Sequence, residues 1–205
     1  MSFKKQKYKI IKKAISKDLA TFAYNYFLMK RQVAKTFFDT KFISPFTSEW
    51  GVWTDEQVPN TYSHYADILS ETLLLKLQPI VENETKLKLT PNYTYTRIYK
   101  KGDILRRHKD RFSCEISTTM NLAGDDWPIY LEPSGDKGKK GIKVDLKQGD
   151  MLVYRGCDLE HWRKPFKGNE CVQVFLHYNN VKTPGAKENM YDRRPHLGLP
   201  PWFRK

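Results

Sequence analysis

The chain predicts an α+β fold, with two helices followed by a run of short strands that close into a β-sandwich or barrel, the helices lying against one face. Three observations predict it. Apolar residues recur at three- and four-residue steps up to about residue 84. After Leu89 the period switches to two, with Tyr93, Tyr95, Arg97 and Tyr99 alternating against Thr94, Thr96 and Ile98. About eight short strands follow, punctuated by Gly, Asp and Pro turns, an order that suits helices packed on one side of a strand layer.

Residues 1–10 read as a basic lead-in. Ser16 then precedes Lys17-Asp18-Leu19, a helix N-cap with an acid in the first turn. Leu19, Phe22, Ala23, Tyr26, Phe27, Val33 and Phe37 mark one amphipathic helix over 17–38. Residues 40–60, with Pro45, Pro59, Gly51, Trp50 and Trp53, read as a long ordered loop. A second helix is expected from about Ser63 to Glu84, burying Tyr65, Ile68, Leu69, Leu73, Leu77, Ile80 and Val81, with Pro79 kinking or dividing it.

Strands are placed at 91–99, 104–110, 112–122, 127–132, 142–146, 151–154, 159–163 and 171–178. Lys101-Gly102-Asp103 and Gly149-Asp150 supply turns, and 133–141 is a Gly/Lys-rich hairpin loop. The tail, 181–205, carries Pro184, Pro195, Pro200 and Pro201 and is expected to run extended over the surface. The whole of 1–205 reads as one domain: a helical layer over about 11–88, a strand core over about 89–180, and the tail.

A chain of 205 residues, 40% hydrophobic and 14% aromatic, can bury a full core and is too rich in aromatics for a disordered segment. No run approaches the apolar length of a membrane span, and Met1 to Lys13 is basic without the apolar stretch of a secretory signal. Cys114, Cys157 and Cys171 are odd in number and widely spaced, so free thiols in a reducing, cytoplasmic setting are expected, with no disulfide framework or zinc site. The net charge of +13, with basic residues crowded into 100–111, suits an anionic partner such as nucleic acid, an acidic peptide or a small carboxylate; solubility alone accounts for it equally well.

The chemistry centres on His108-Lys109-Asp110, followed 51 residues later by His161. Two imidazoles and one carboxylate on one side of an ion, with the other side open, is the donor set of non-heme Fe(II) sites. On a strand over 104–110, residues 108 and 110 would share a face, and the third donor must come from a strand returning beside it. The triplet alone is a weak signal, since 5 His and 13 Asp give about 0.3 such triplets by chance, and it sits in the basic run Arg106 to Arg111. Arg163 lies two residues past His161, which would place a cation on the same face.

Taken in order, Arg97-x-Tyr99-x-x-Gly102, His108-x-Asp110, Gly149-Asp150-x-x-x-Tyr154 and His161 resemble the Fe(II)/2-oxoglutarate-dependent oxygenases, in particular their prolyl 4-hydroxylase-like branch, over about 92–180. Small bacterial and phage members are similar in the continuation Arg111-x-Ser113-Cys114-Glu115-Ile116-Ser117. The resemblance implies a double-stranded β-helix (jelly-roll) barrel with supporting N-terminal helices. It implies His108, Asp110 and His161 as iron ligands, Tyr99 hydrogen-bonded to a 2-oxoglutarate carboxylate, and Ser117 lining the cosubstrate pocket. Fe(II), 2-oxoglutarate and O2 are the implied cofactors, and a need for ascorbate stays open.

The chain departs from the family's pattern in one place. A Lys or Arg usually stands nine to eleven residues after the second His, where this chain has Glu170, Cys171 and Val172. By alternation, Cys171, Gln173 and Phe175 should face the barrel interior, and Val172, Val174 and Leu176 the helices. Gln173 is therefore counted with the cosubstrate pocket. Arg163 is the first expectation for the missing carboxylate anchor, and Arg97 the second. The implied reaction is hydroxylation of a peptidyl side chain, proline foremost, with Trp127, Tyr130 and Trp162 available to line a peptide groove or simply to pack. Oxidation of nucleic acid and a non-catalytic metal-binding jelly roll are the competing readings. Substrate and oligomeric state are not legible in the sequence.

Overall fold

The alternating half of the chain forms two antiparallel sheets that face each other. A computed structural model describes residues 2–44 and 46–205; Met1 of the lead-in and Pro45 of the 40–60 loop lie outside the described residues. The elements run α1 (Phe3–Gln6), β1 (Tyr8–Ile11), α2 (Lys17–Asp39), β2 (Tyr62–Tyr65), α3 (Ile68–Thr85), β3 (Leu89–Lys100), β4 (Leu105–His108), β5 (Ile116–Gly124), β6 (Ile129–Glu132), β7 (Ile142–Val144), β8 (Met151–Arg155), β9 (Glu160–Arg163) and β10 (Glu170–Asn180). The larger sheet has the order β1-β8-β5-β10-β3-β2, the smaller β4-β9-β6-β7. From β3 onward the chain passes back and forth between the sheets, which is the jelly-roll winding.

The helices cover the larger sheet, as the order of elements predicts. Ser16 caps α2 by accepting from the Leu19 N–H at 3.2 Å, a contact worth about 1 kcal/mol. The buried stripe of α2 is Ala20, Ala23, Phe27 and Ala34, so small side chains let the helix approach the sheet and one phenyl ring fills the space left. Phe22, expected inside, is 61% exposed. On α3 the buried side is Leu73, Leu74, Leu77 and Val81, against Val172, Val174, Leu176 and Tyr178 of β10. Ile68 and Ile80, also expected inside, are exposed.

Four further expectations are corrected. The lead-in is not loose, because β1 pairs with β8 and closes the edge of the larger sheet. Residues 62–65 are strand β2, and α3 begins only after Asp67, whose carboxylate accepts from the Leu69 and Ser70 N–H groups. Pro79 does not divide α3; it and Leu75, whose carbonyl it leaves unpaired, both stand on the exposed side where water can replace the bond. Residues Phe112–Cys114 form a 3-10 turn and not the start of a strand.

The tail departs furthest from expectation. It folds back through 3-10 turns at Met190–Arg193 and Pro201–Phe203 instead of lying extended. Arg194 reaches Glu71 of α3 at 2.6 Å, with both side chains essentially fully buried. The carboxylate of Asp192 accepts from both terminal nitrogens of Arg111 at 2.9 Å and from Ser113 and Tyr65 at 2.7 Å. Tyr191, Asp192 and Arg193 all adopt positive φ, at 57°, 55° and 63°. Each left-handed residue costs roughly 1–2 kcal/mol, so the carboxylate network has to hold the turn against its own backbone preference.

Two predictions follow from the tail. Arg194→Ala leaves Glu71 buried without its counter-charge and should lower unfolding stability by about 3–5 kcal/mol, read from a denaturant titration. Asp192 is buried, which works against its charge, but Arg111 and the Tyr65 and Ser113 hydroxyls outweigh this and hold it at about 2, below its ordinary 3.8. Its stabilising contribution, about 2 kcal/mol, is present above its unfolded value and lost as pH falls through about 2. Asp192→Asn should flatten the acid limb of the stability–pH curve; an unaltered limb would refute this.

Candidate active site

β4 and β9 are adjacent antiparallel strands, and their register sets His108 directly opposite His161. The imidazole centroids are 4.2 Å apart. Asp110 is not on β4, as alternation would have it, but just beyond the strand's end. Its N–H donates to the Gly156 carbonyl at 2.9 Å, which turns the chain so that the carboxylate swings back beside the imidazoles. Gly156 has no room for a side chain, because a Cβ there would strike Asp110, Ser117 and the Cys114 carbonyl. The Asp110 Oδ1 atom stands 3.4 Å from His161 Nε2 and 3.6 Å from His108 Nε2.

The tautomers are set by the backbone. His108 Nδ1 lies 2.7 Å from the Arg106 carbonyl, and His161 Nδ1 lies 3.1 Å from the Leu159 carbonyl. A carbonyl can only accept, so each Nδ1 carries the proton and each Nε2 presents a lone pair toward Asp110. Neighbouring donors around an octahedral ion with bonds of about 2.1 Å are roughly 3 Å apart. The donor set therefore fits a divalent transition metal with slight closure. Burial works against the charge of Asp110, but when the facing rings are protonated the charge of His161 and the hydrogen bonds from His108 and His161 outweigh it and hold the carboxyl well below the usual range; an ion bound by the neutral rings would take the place of those protons. Burial likewise opposes charge on His108, and Asp110 with the Arg106 carbonyl more than offsets it, raising that imidazole.

A cavity of about 310 Å³ opens beside these three residues. Its wall takes Tyr93, Tyr95, Arg97 and Tyr99 from one face of β3, Phe175 and His177 from β10, and Asp55 and Gln57 from the loop before β2. Tyr99 is buried in this wall, where Arg97 Nη1 approaches its hydroxyl at 3.4 Å. Arg97 is paired with Asp55 at 3.0 Å and also donates to Gln57 Oε1 at 3.0 Å. Arg163 is fully buried and does not line the cavity, although Tyr99 and Tyr154, which do, are near enough to act on its charge. It donates to the Trp127 carbonyl, to Thr119 Oγ1 at 3.2 Å and to Gln173 Oε1 at 3.3 Å, while its Nε has no partner. Among the described residues no carboxylate comes within 4.0 Å of it, and burial depresses its basicity.

Several residues stand elsewhere than expected. Ser117 does not line the cavity; its hydroxyl lies 2.6 Å from Asp110 Oδ2 and supports the carboxylate from behind. Gln173 faces the barrel interior but serves Arg163 and Thr119, not the cavity wall. Trp127 packs against Tyr99 and Phe166, while Tyr130 and Trp162 stack on each other beneath Lys164 and Arg107, so none of the three borders the cavity. His177 was missed, although it shares the inward parity of Phe175. Burial lowers it to about 4, so it is neutral at pH 7. Asp55 and Gln57 come from irregular chain, where no periodicity marks them.

Supporting hydrogen bonds to metal ligands tune affinity by about 10–100-fold. Ser117→Ala should weaken Co(II) or Ni(II) binding by that order, read by spectroscopic titration, with the fold intact by circular dichroism. Unchanged affinity would show that Asp110 needs no such support.

No family model matches the chain, and no curated protein sequence does. Solved structures do. A prolyl-4-hydroxylase from Pseudomonas putida aligns at 14% identity over 87% of this chain and 95% of its own, with a TM-score of 0.59. HygX from Streptomyces hygroscopicus, solved with nickel and 2-oxoglutarate bound, aligns at 12% identity over 88% of this chain and 85% of its own, with a TM-score of 0.58. The α-ketoglutarate-dependent non-heme epimerase SnoN of nogalamycin biosynthesis aligns at 9% identity over 87% and 80%, with a TM-score of 0.64. The chain thus shares the jelly-roll fold of these 2-oxoglutarate-dependent enzymes.

Proposed function

We propose that the protein is an Fe(II)- and 2-oxoglutarate-dependent oxygenase that hydroxylates a C–H bond of its substrate, in a peptidyl side chain such as proline. The observation that carries this is the joint presence of two presented Nε2 lone pairs and one Asp110 oxygen beside an open cavity, with the uncompensated cation of Arg163 behind it. HygX binds nickel and 2-oxoglutarate on the same fold, which supports the assignment of both groups. SnoN is an epimerase, so the fold by itself does not choose the reaction.

His108, Asp110 and His161 would hold the ion on one side and leave the cavity side open. When bound there, Fe(II) supplies activation of O2 coupled to oxidative decarboxylation of 2-oxoglutarate to succinate and carbon dioxide. Arg163 is the better anchor for the distal carboxylate. A buried cation without a counter-charge costs several kcal/mol, and an anion relieves it, whereas Arg97 already has Asp55. Tyr99 and Tyr154 line the cavity and lie near enough to act on the charge of Arg163, and their hydroxyls would hydrogen-bond a carboxylate drawn toward it. Tyr93, Tyr95 and Phe175 offer aromatic faces that suit a pyrrolidine ring, and the prolyl hydroxylase among the neighbours points the same way.

The test is succinate formation that requires both Fe(II) and 2-oxoglutarate, followed by a one-oxygen mass gain in proline peptides, oligonucleotides or lysate proteins. Absence of succinate, together with absence of a visible absorption band on anaerobic mixing of Fe(II) and 2-oxoglutarate, would leave a non-catalytic metal-binding protein. Mass gain confined to oligonucleotides, with salt-dependent binding, would make nucleic acid the substrate that the +13 charge attracts. Arg163→Met should raise the KM for 2-oxoglutarate by about 10–100-fold, the worth of a charge-assisted hydrogen bond, while metal binding stays intact. If Arg97→Met does so instead, the anchor is Arg97.

A further inference from the structure

The metal-facing nitrogen of His108 already has a partner. Gln57 Nε2 lies 3.0 Å from His108 Nε2, while Nδ1 of the same ring is held by the Arg106 carbonyl. The orientation of the Gln57 amide is determined by both of its ends. Oε1 accepts from Arg97 Nη1 at 3.0 Å, and a guanidinium can only donate, so the NH2 group is the end that faces His108. Turning the amide over would set donor against donor at Arg97 and lone pair against lone pair at His108. Gln57 therefore meets His108 as a hydrogen-bond donor and not as a further metal ligand.

We propose that Gln57 is a displaceable guard of the metal site, competing with the ion for the lone pair of His108; this rests on reading His108, Asp110 and His161 as metal ligands. A single lone pair cannot accept from an amide and bind a divalent cation together, so ion binding expels the amide. The exchange is a side-chain movement. Gln57 is exposed, whereas the next residue, Val58, is buried beside Tyr99 and Leu105 and keeps the backbone of the loop in place. Expulsion also removes one of the acceptors of Arg97 and leaves it Asp55 and the more distant Tyr99 hydroxyl. Arg97 itself lines the cavity, between Tyr95 and Tyr99. Metal loading thereby readies Arg97 to bind a carbonyl or carboxylate of whatever occupies the cavity.

Ni(II) titration of the wild type and Gln57→Ala, followed by calorimetry, tests the competition. The variant is expected to bind Ni(II) about two- to fivefold more tightly, the worth of one exposed net hydrogen bond. In the wild type, Zn(II) should shift the Gln57 side-chain amide resonances in a ¹⁵N spectrum, identified by their absence from the variant. Equal affinity in both proteins, or unmoved resonances, overturns the guard while leaving the metal site standing. Weaker binding by the variant overturns it in favour of ligation by Gln57. No Ni(II) binding by either protein overturns the metal site and the guard together.

Discussion

The pairing of β4 with β9 is the interaction on which the rest of the site depends. It is short, and the register slips between Leu105 and His108, yet it places two imidazoles opposite each other across a single ladder step, tilted by 55°. The carbonyl two residues back, Arg106 within β4 and Leu159 just before β9, then fixes the proton on the far nitrogen of each histidine. Strand register, tautomer and metal-donor geometry are one fact seen at three scales. A slip of one residue in either strand would turn its ring to the opposite face of the smaller sheet, away from its partner.

Charge compensation divides the interior into two kinds of place. Glu71 with Arg194, Asp192 with Arg111, and Asp55 with Arg97 are matched pairs that tie loops and tail to the barrel. Asp110 and Arg163 are different. Asp110 draws its compensation from the facing imidazoles, whose Nε2 protons an ion can replace, and Arg163 has backbone, hydroxyl and amide acceptors but no carboxylate among the described residues. The first is poised for a cation and the second for an anion, and the aromatic wall of β3 lies between them.

Much of the fold is legible in the sequence because periodicity reports which faces are buried. The change from helical spacing to alternation near Leu89 separates the helical layer from the barrel, and the parity of Val172, Val174 and Leu176 correctly sends them toward the helices. Parity fails where the chain leaves regular structure. Asp110 is brought to its place by a turn held by Gly156, Asp55 and Gln57 by an irregular loop, and the tail by buried ion pairs that prolines in the sequence conceal. β1 is hidden for another reason: Lys9 and the lysines that flank the strand look like a solvated run, yet an edge strand can pair through its backbone while keeping charge in water. The donors themselves rest on residue type and spacing, and their convergence depends on a strand pairing that no local pattern reports.

The carboxylate of Asp192 grips Arg111 and Ser113, just past Asp110, from 81 and 79 positions away in sequence. Neither sheet contains this clasp, so the turn that carries Asp110 can loosen while the strands stay paired. A substitution at Asp192 would leave His108, Asp110 and His161 all present and alter only their spacing, so a lesion far off in the tail would register as a weakened site more than as a lost fold.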